Sequence, residues 1–172
     1  MTVSQFQELP KPTGEFQYEL RAGEMTRVTR PKLKHALLQD RLTALLKSPA
    51  AKGSLVLYEM AFRPLPEYEL RVADVGYMSP DRFAAADKEG NLAGAPDMVI
   101  EILSPSNTHA EMEEKQQLCL ENGCLEFWVV NMEKKQVKIS RPDGTWSLYR
   151  SGQHIPLPLL GGTSLAVDDI FR

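Results

Sequence analysis

The chain has 172 residues, 42% hydrophobic and 25% charged, which is the composition of an ordinary globular domain with a core of its own. Its net charge of −3 argues against a protein that coats nucleic acid nonspecifically, and it has no run of about 18 apolar residues that could span a bilayer. The opening MTVSQFQELPKPTGEF lacks the basic start and apolar segment of a signal peptide, so a cytoplasmic location is expected.

Residues 1–15, polar with Pro10 and Pro12, read as a loosely held lead-in to a single domain over 16–172. Tyr18-Glu19-Leu20 and Met25 to Val28 flank Arg21-Ala22-Gly23 and read as a hairpin with Gly23 in its turn. Pro31 suits the first turn of a helix, and Leu38, Leu42 and Leu45 recur at helical spacing up to about Lys47. Eight basic residues lie between Arg21 and Lys52 against only Glu24 and Asp40, a local +6 on an acidic chain. Such a face suits phosphate contact or plain solvation.

SLVLYEMAF (54–62) and ELRVADVGYM (69–78) follow as strands on either side of Pro64 and Pro66. The polar stretch 82–95 reads as loop or a short helical turn. PDMVIEILSPS (96–106) carries a third strand, ended by Ser104-Pro105-Ser106. Thr108 to Glu111 then forms a capping box, and Gly123 closes the helix that it opens. LEFWVVN (125–131), apolar on both faces, reads as a central strand. Gln136–Ser140 and Thr145–Tyr149 form a hairpin across Pro142-Asp143-Gly144. An irregular tail with Ile170-Phe171 pinned to the core completes the chain. The fold class is therefore a mixed α/β domain, with a helix crossing over between the strands of Glu101 and Phe127.

Alternation in the 96–106 strand places Asp97, Val99, Glu101 and Leu103 on one face. An ionised carboxylate in such an apolar layer costs several kcal/mol unless a cation, a metal or hydrogen-bond donors meet it. Asp97 lies about 13 Å from Glu101 along the strand, too far to share one ion, and reads as a cap at the strand's start. Asp74 is a second carboxylate embedded in an apolar strand. Two acids on neighbouring strands repel unless a divalent cation or a shared proton relieves them. Hard oxygen ligands in a small cluster suit Mg²⁺, and Mn²⁺ after it. Lys115, on the crossover helix, could assist a reaction there or offset charge on a phosphate. Glu111, four residues earlier, stands at the spacing of a helical ion pair with Lys115. Cys119 and Cys124 are spaced C-x4-C and the three histidines are scattered, which matches no zinc template, so both thiols read as buried packing residues.

PDMVIEILSPS, a helix with Glu111 and Lys115, and then NGCLEFWVVN together resemble the Uma2 family (DUF820). Its usual pattern is PDLVIEVLSPS, D-x-x-x-K-x-x-x-Y, then a glycine and E-Y-W-V-V-D. The likeness extends to the Tyr18–Glu24 hairpin, His35, Val72-Ala73-Asp74-Val75 and Arg141-Pro142-Asp143-Gly144. That family is similar to the PD-(D/E)xK nucleases. The resemblance therefore implies a restriction-endonuclease-like core and Mg²⁺-dependent hydrolysis of phosphodiester bonds in nucleic acid, DNA first. It makes Asp74 and Glu101 the metal ligands and Lys115 the catalytic lysine, displaced from the usual strand position, which Leu103 holds here. His35, Glu19 and Glu111 are secondary candidates. The chain departs from the pattern at Ala73 (usually Pro), Glu111 (Asp), Cys119 (Tyr) and Asn131 (Asp). The loss of a hydroxyl at Cys119 keeps a second reading open, a nucleic-acid-binding or regulatory module with the nuclease fold and no cleavage. The apolar LEFWVVN strand and the tail would also suit a homodimer.

Overall fold

The computed structural model describes every residue except Glu15, the last of the expected lead-in. A short helix, α1 (Val3–Gln7), precedes a hairpin of β1 (Phe16–Arg21) and β2 (Glu24–Thr29). The long helix α2 (Leu33–Lys47) leads into β3 (Leu55–Arg63) and β4 (Arg71–Met78). After α3 (Pro80–Ala85) and β5 (Leu92–Ala93) comes β6 (Met98–Ile102), the crossover helix α4 (His109–Glu121) and β7 (Glu126–Asn131). The chain finishes with β8 (Gln136–Ser140), β9 (Trp146–Arg150), β10 (His154–Leu157), β11 (Thr163–Ala166) and α5 (Val167–Ile170).

Seven strands form one mixed sheet in the order β5-β3-β4-β6-β7-β8-β9, with β6 and β7 parallel across α4 and most other neighbours antiparallel. The alternation read from the sequence holds in β6. Met98, Ile100 and Ile102 pack in a core with Leu38, Leu42 and Leu46 of α2. Val99 joins Met112 and Cys119 of α4 and Phe127 of β7 on the other face. Burial accounts for the apolar run Phe127 to Val130 within one chain, since β7 is covered on both faces and flanked by β6 and β8, whereas Leu125 before it is exposed. No helix among the described residues is long and apolar enough to cross a membrane.

Two terminal segments are more ordered than their composition suggests. The lead-in begins as α1, held by a capping box of Thr2 and Gln5, with Val3 buried and its N–H donating to the Glu67 carbonyl. The tail forms the β10–β11 hairpin, and Ile170 is fully buried against the α2 face. Arg41 of α2 donates to the carbonyls of Ile170 and Arg172, which fastens the C-terminus.

The sheet opens at one point. β4 and β6 pair from Tyr77↔Met98 to Val75↔Ile100 and stop where Asp74 would face Glu101. On the other side of β4, Tyr58↔Val75 and Met60↔Ala73 bracket a missing pair, Glu59 with Asp74. Glu59 has φ +48° in mid-strand, whereas Ala22 and Lys135, the other non-glycine residues in the left-handed region among the described residues, sit in hairpin turns. A left-handed residue with a side chain costs about 1 kcal/mol. Glu59→Gly is therefore expected to raise stability by up to about 1 kcal/mol in urea unfolding.

Candidate functional site

The opening in the sheet lies on the floor of a cleft of about 580 Å³, which Glu19, His35, Asp74, Glu101 and Lys115 line. Asp74 is held from three sides. Its Oδ2 accepts the Ile102 N–H at 2.7 Å, so the side chain takes the place of the missing ladder bond. Its Oδ1 accepts Gln39 Nε2 at 3.1 Å and meets His35 Nε2 at 2.9 Å. Both partners come from α2, where they are four residues apart and share a face.

Glu101 is 7% exposed and Lys115 8%, and Lys115 Nζ lies 2.8 Å from Glu101 Oε1. Lys115 also donates to the Val72 carbonyl at 2.7 Å, and Glu19 Oε1 stands 3.9 Å away. Glu19, itself buried, accepts the Val72 N–H at 3.0 Å and is paired with Arg21. The N–H and C=O of Val72 point the same way from the strand, and side chains from β1 and α4 satisfy them in place of a β6 partner. The hairpin is thereby bound to the site, and a backbone exchange between Leu20 and Leu70 reinforces it.

The charges shift accordingly. Burial pushes the Glu101 carboxyl up to about 7; Lys115 opposes this, and Asp74 adds to it. Burial disfavours the Lys115 ammonium, but the charges of Glu101 and Glu19 outweigh it and hold the group well above the usual lysine range. His35 follows the same pattern: burial lowers it, contact with Asp74 more than compensates, and its proton is held more tightly than usual. The contacts of Lys115 with Glu101 and of His35 with Asp74 are short, 2.8 and 2.9 Å.

Among the described residues no three His, Cys, Asp or Glu side chains come together as a metal-holding group. The donor set is two carboxylates, one of them buried against the Lys115 ammonium. Zinc would need three or four protein ligands. Mg²⁺ and Mn²⁺ fit better, because a hard cation that keeps several waters is held by one or two carboxylates and completed by substrate oxygens.

The structure thus brings Asp74, Glu101, Lys115, His35 and Glu19 together. It separates Glu111 from Lys115. The Glu111 carboxylate closes the Thr108 capping box, which lowers its pKa, and its other oxygen pairs with Arg21 at 3.2 Å. Asp97 caps the start of β6 as expected, accepting from Ser79 N and Arg82. Cys119 and Cys124 are buried, and burial drives both thiols up, Cys124 to about 12. Cys119 packs in the core away from the cleft lining. Two residues of the site escape sequence reading. Gln39 is visible in principle, as a polar residue four positions after His35 on the helix face turned to the core. Arg71 is not: its fully buried guanidinium lines the cleft and is held by Glu69 and, through both oxygens, by Glu114.

The Uma2 family model, described as "Putative restriction endonuclease", matches residues 3–168. No curated protein matches the chain. The crystal structure of a "putative nuclease belonging to DUF820" from Anabaena variabilis ATCC 29413 is 22% identical and superimposes with a TM-score of 0.83. That match covers 99% of this chain and 97% of the other. At this identity the likeness shows the fold, a central mixed sheet flanked by helices.

Proposed function

The chain belongs to the Uma2 family, and from that premise we propose that it is a Mg²⁺- or Mn²⁺-dependent nuclease hydrolysing phosphodiester bonds, with DNA as the first substrate. One observation carries the reading: Glu101, buried and paired with Lys115 at 2.8 Å, sits level with Asp74 where the central ladder opens onto a cleft. Asp74 and Glu101 would hold the cation. When bound, it would polarise the phosphate and make water a better nucleophile.

The remaining roles follow from charge. Lys115 stays an ammonium across the working range, so it does not act as a general base. It offsets the charge of Glu101 and of a phosphate, which is electrostatic stabilisation. Gln39 and the Ile102 N–H orient Asp74. Glu19 fixes Val72 and, through it, the opening between the strands.

Incubation of the purified chain with supercoiled plasmid tests the proposal. Nicking with Mg²⁺ or Mn²⁺ that EDTA stops is the expected result. DNA binding that survives Asp74→Ala without any nicking would favour the non-catalytic module, a reading supported by the lack of a third acidic ligand among the described residues.

A further inference from the structure

The cleft wall beside the carboxylates is basic, and its construction disregards the rules that stabilise helices. α2 begins at Lys32, a poor N-cap whose side chain makes no capping bond, and its first turn holds no acidic residue. Lys34 follows within that turn and Arg30 precedes it, so cations gather at the positive end of the helix dipole, where each costs a few tenths of a kcal/mol. The other long helix, α4, shows the opposite, with a complete Thr108–Glu111 capping box at its start.

Arg27, Arg30, Lys32 and Lys34 all line the cleft and are exposed. None has an ion-pair partner among the described residues, although the chain is acidic overall. The two arginines are steadied by uncharged contacts: Arg27 stacks over the Phe16 ring at 4.1 Å and Arg30 donates to the Phe16 carbonyl at 3.3 Å. The other basic residues of the same sequence segment have different neighbours. Arg21 is paired with Glu19 and Glu111, Arg41 fastens the C-terminus, and Lys47 and Lys52 lie off the cleft. Local rules of stability broken at a cleft are expected at functional sites.

We propose that Arg27, Arg30, Lys32 and Lys34 form the phosphate-backbone track of the site, holding a nucleic-acid strand along the hairpin and the start of α2 so that one phosphate reaches Asp74 and Glu101. The track deepens the nuclease reading and rests on it for the placement of the scissile phosphate. Its contacts are to charge, so it takes backbone without reading sequence.

Anisotropy titrations of a labelled 20-base-pair duplex and a labelled 20-nucleotide single strand, in EDTA and over a series of NaCl concentrations, test the track without any metal. The quadruple variant Arg27→Ala/Arg30→Ala/Lys32→Ala/Lys34→Ala is compared with Lys47→Ala/Lys52→Ala. Each phosphate contact contributes about 0.9 to the slope of log affinity against log salt for duplex and about 0.7 for single strand. The quadruple variant is therefore expected to lose about three and a half units of slope and more than a hundredfold in duplex affinity at low salt, while the control matches wild type. The form with the tighter wild-type binding identifies the substrate strand. An unchanged slope in the quadruple variant overturns the track, even if wild type nicks plasmid. The expected loss of slope upholds the track as a backbone site even if wild type nicks nothing, an outcome that would count against the nuclease reading alone.

Discussion

Asp74→Ala and Glu101→Ala are each expected to abolish Mn²⁺ binding in calorimetry and to lower Mn²⁺-dependent nicking by about a thousandfold or more. A bound cation contributes several kcal/mol of charge stabilisation in the transition state, and each 1.4 kcal/mol is a factor of ten in rate. Among the described residues no third acidic or histidine side chain joins Asp74 and Glu101 in a metal-holding group, so neither loss is expected to be shared. The two substitutions should nevertheless differ in stability. Asp74→Ala strips the acceptor from the Ile102 N–H and leaves Gln39 only the backbone carbonyl of residue 74, and a buried donor left unsatisfied costs about 1–3 kcal/mol. Asp74→Asn, which keeps the volume and one acceptor, separates the loss of cation binding from the loss of fold. Circular dichroism on every variant secures the comparison. Cation binding retained in both alanine variants would move the metal away from this pair.

Lys115→Met is expected to destabilise the protein by about 3–5 kcal/mol near pH 8, because it leaves Glu101 buried with its only close cation removed. Adding Glu101→Gln to that variant should recover most of the loss, and urea unfolding of the four proteins measures the coupling. The pH dependence carries the same signature. The folded Glu101 carboxyl titrates at about 7 against an ordinary 4.5, so the folded state holds a proton that the unfolded chain has already released. The stability contributed by this protonated acid is therefore fully present below pH 4.5. It is lost as the pH rises through about 7, with a slope that the linkage relation fixes. In Lys115→Met the carboxyl climbs further and the decline extends to higher pH. In Glu101→Gln the decline over this window should vanish. A wild-type stability that rises between pH 4.5 and 7 through this residue would show that Lys115 outweighs burial.

Much of this protein follows from short-range pattern. Period-two alternation put Val99 and Glu101 on one face of β6 and Met98, Ile100 and Ile102 on the other, and the two cores divide accordingly. Thr108 and Glu111 started α4, Gly23 turned the first hairpin and Pro142-Asp143-Gly144 the β8–β9 hairpin. Each is a decision within a few residues, made by backbone sterics and local hydrogen bonding. Glu101 could also be marked for a partner, since a charge in an apolar strand is unstable by itself.

Which partner it found was decided in three dimensions. Helical spacing favoured Glu111 for Lys115, yet Glu111 was drawn to its capping box and to Arg21, ninety residues away in sequence. Lys115 was left to turn inward to Glu101, Val72 and Glu19. A proline-marked lead-in looked loose because sequence does not show that Val3 has a pocket to fill. The opening of the ladder at Asp74, the burial of Arg71 against Glu114 and the placing of four cations beside two carboxylates depend on how strands and helices stack. Desolvation and long-range charge are properties of that stacking, since the cost of burying a group is set by everything around it and by nothing in its immediate sequence.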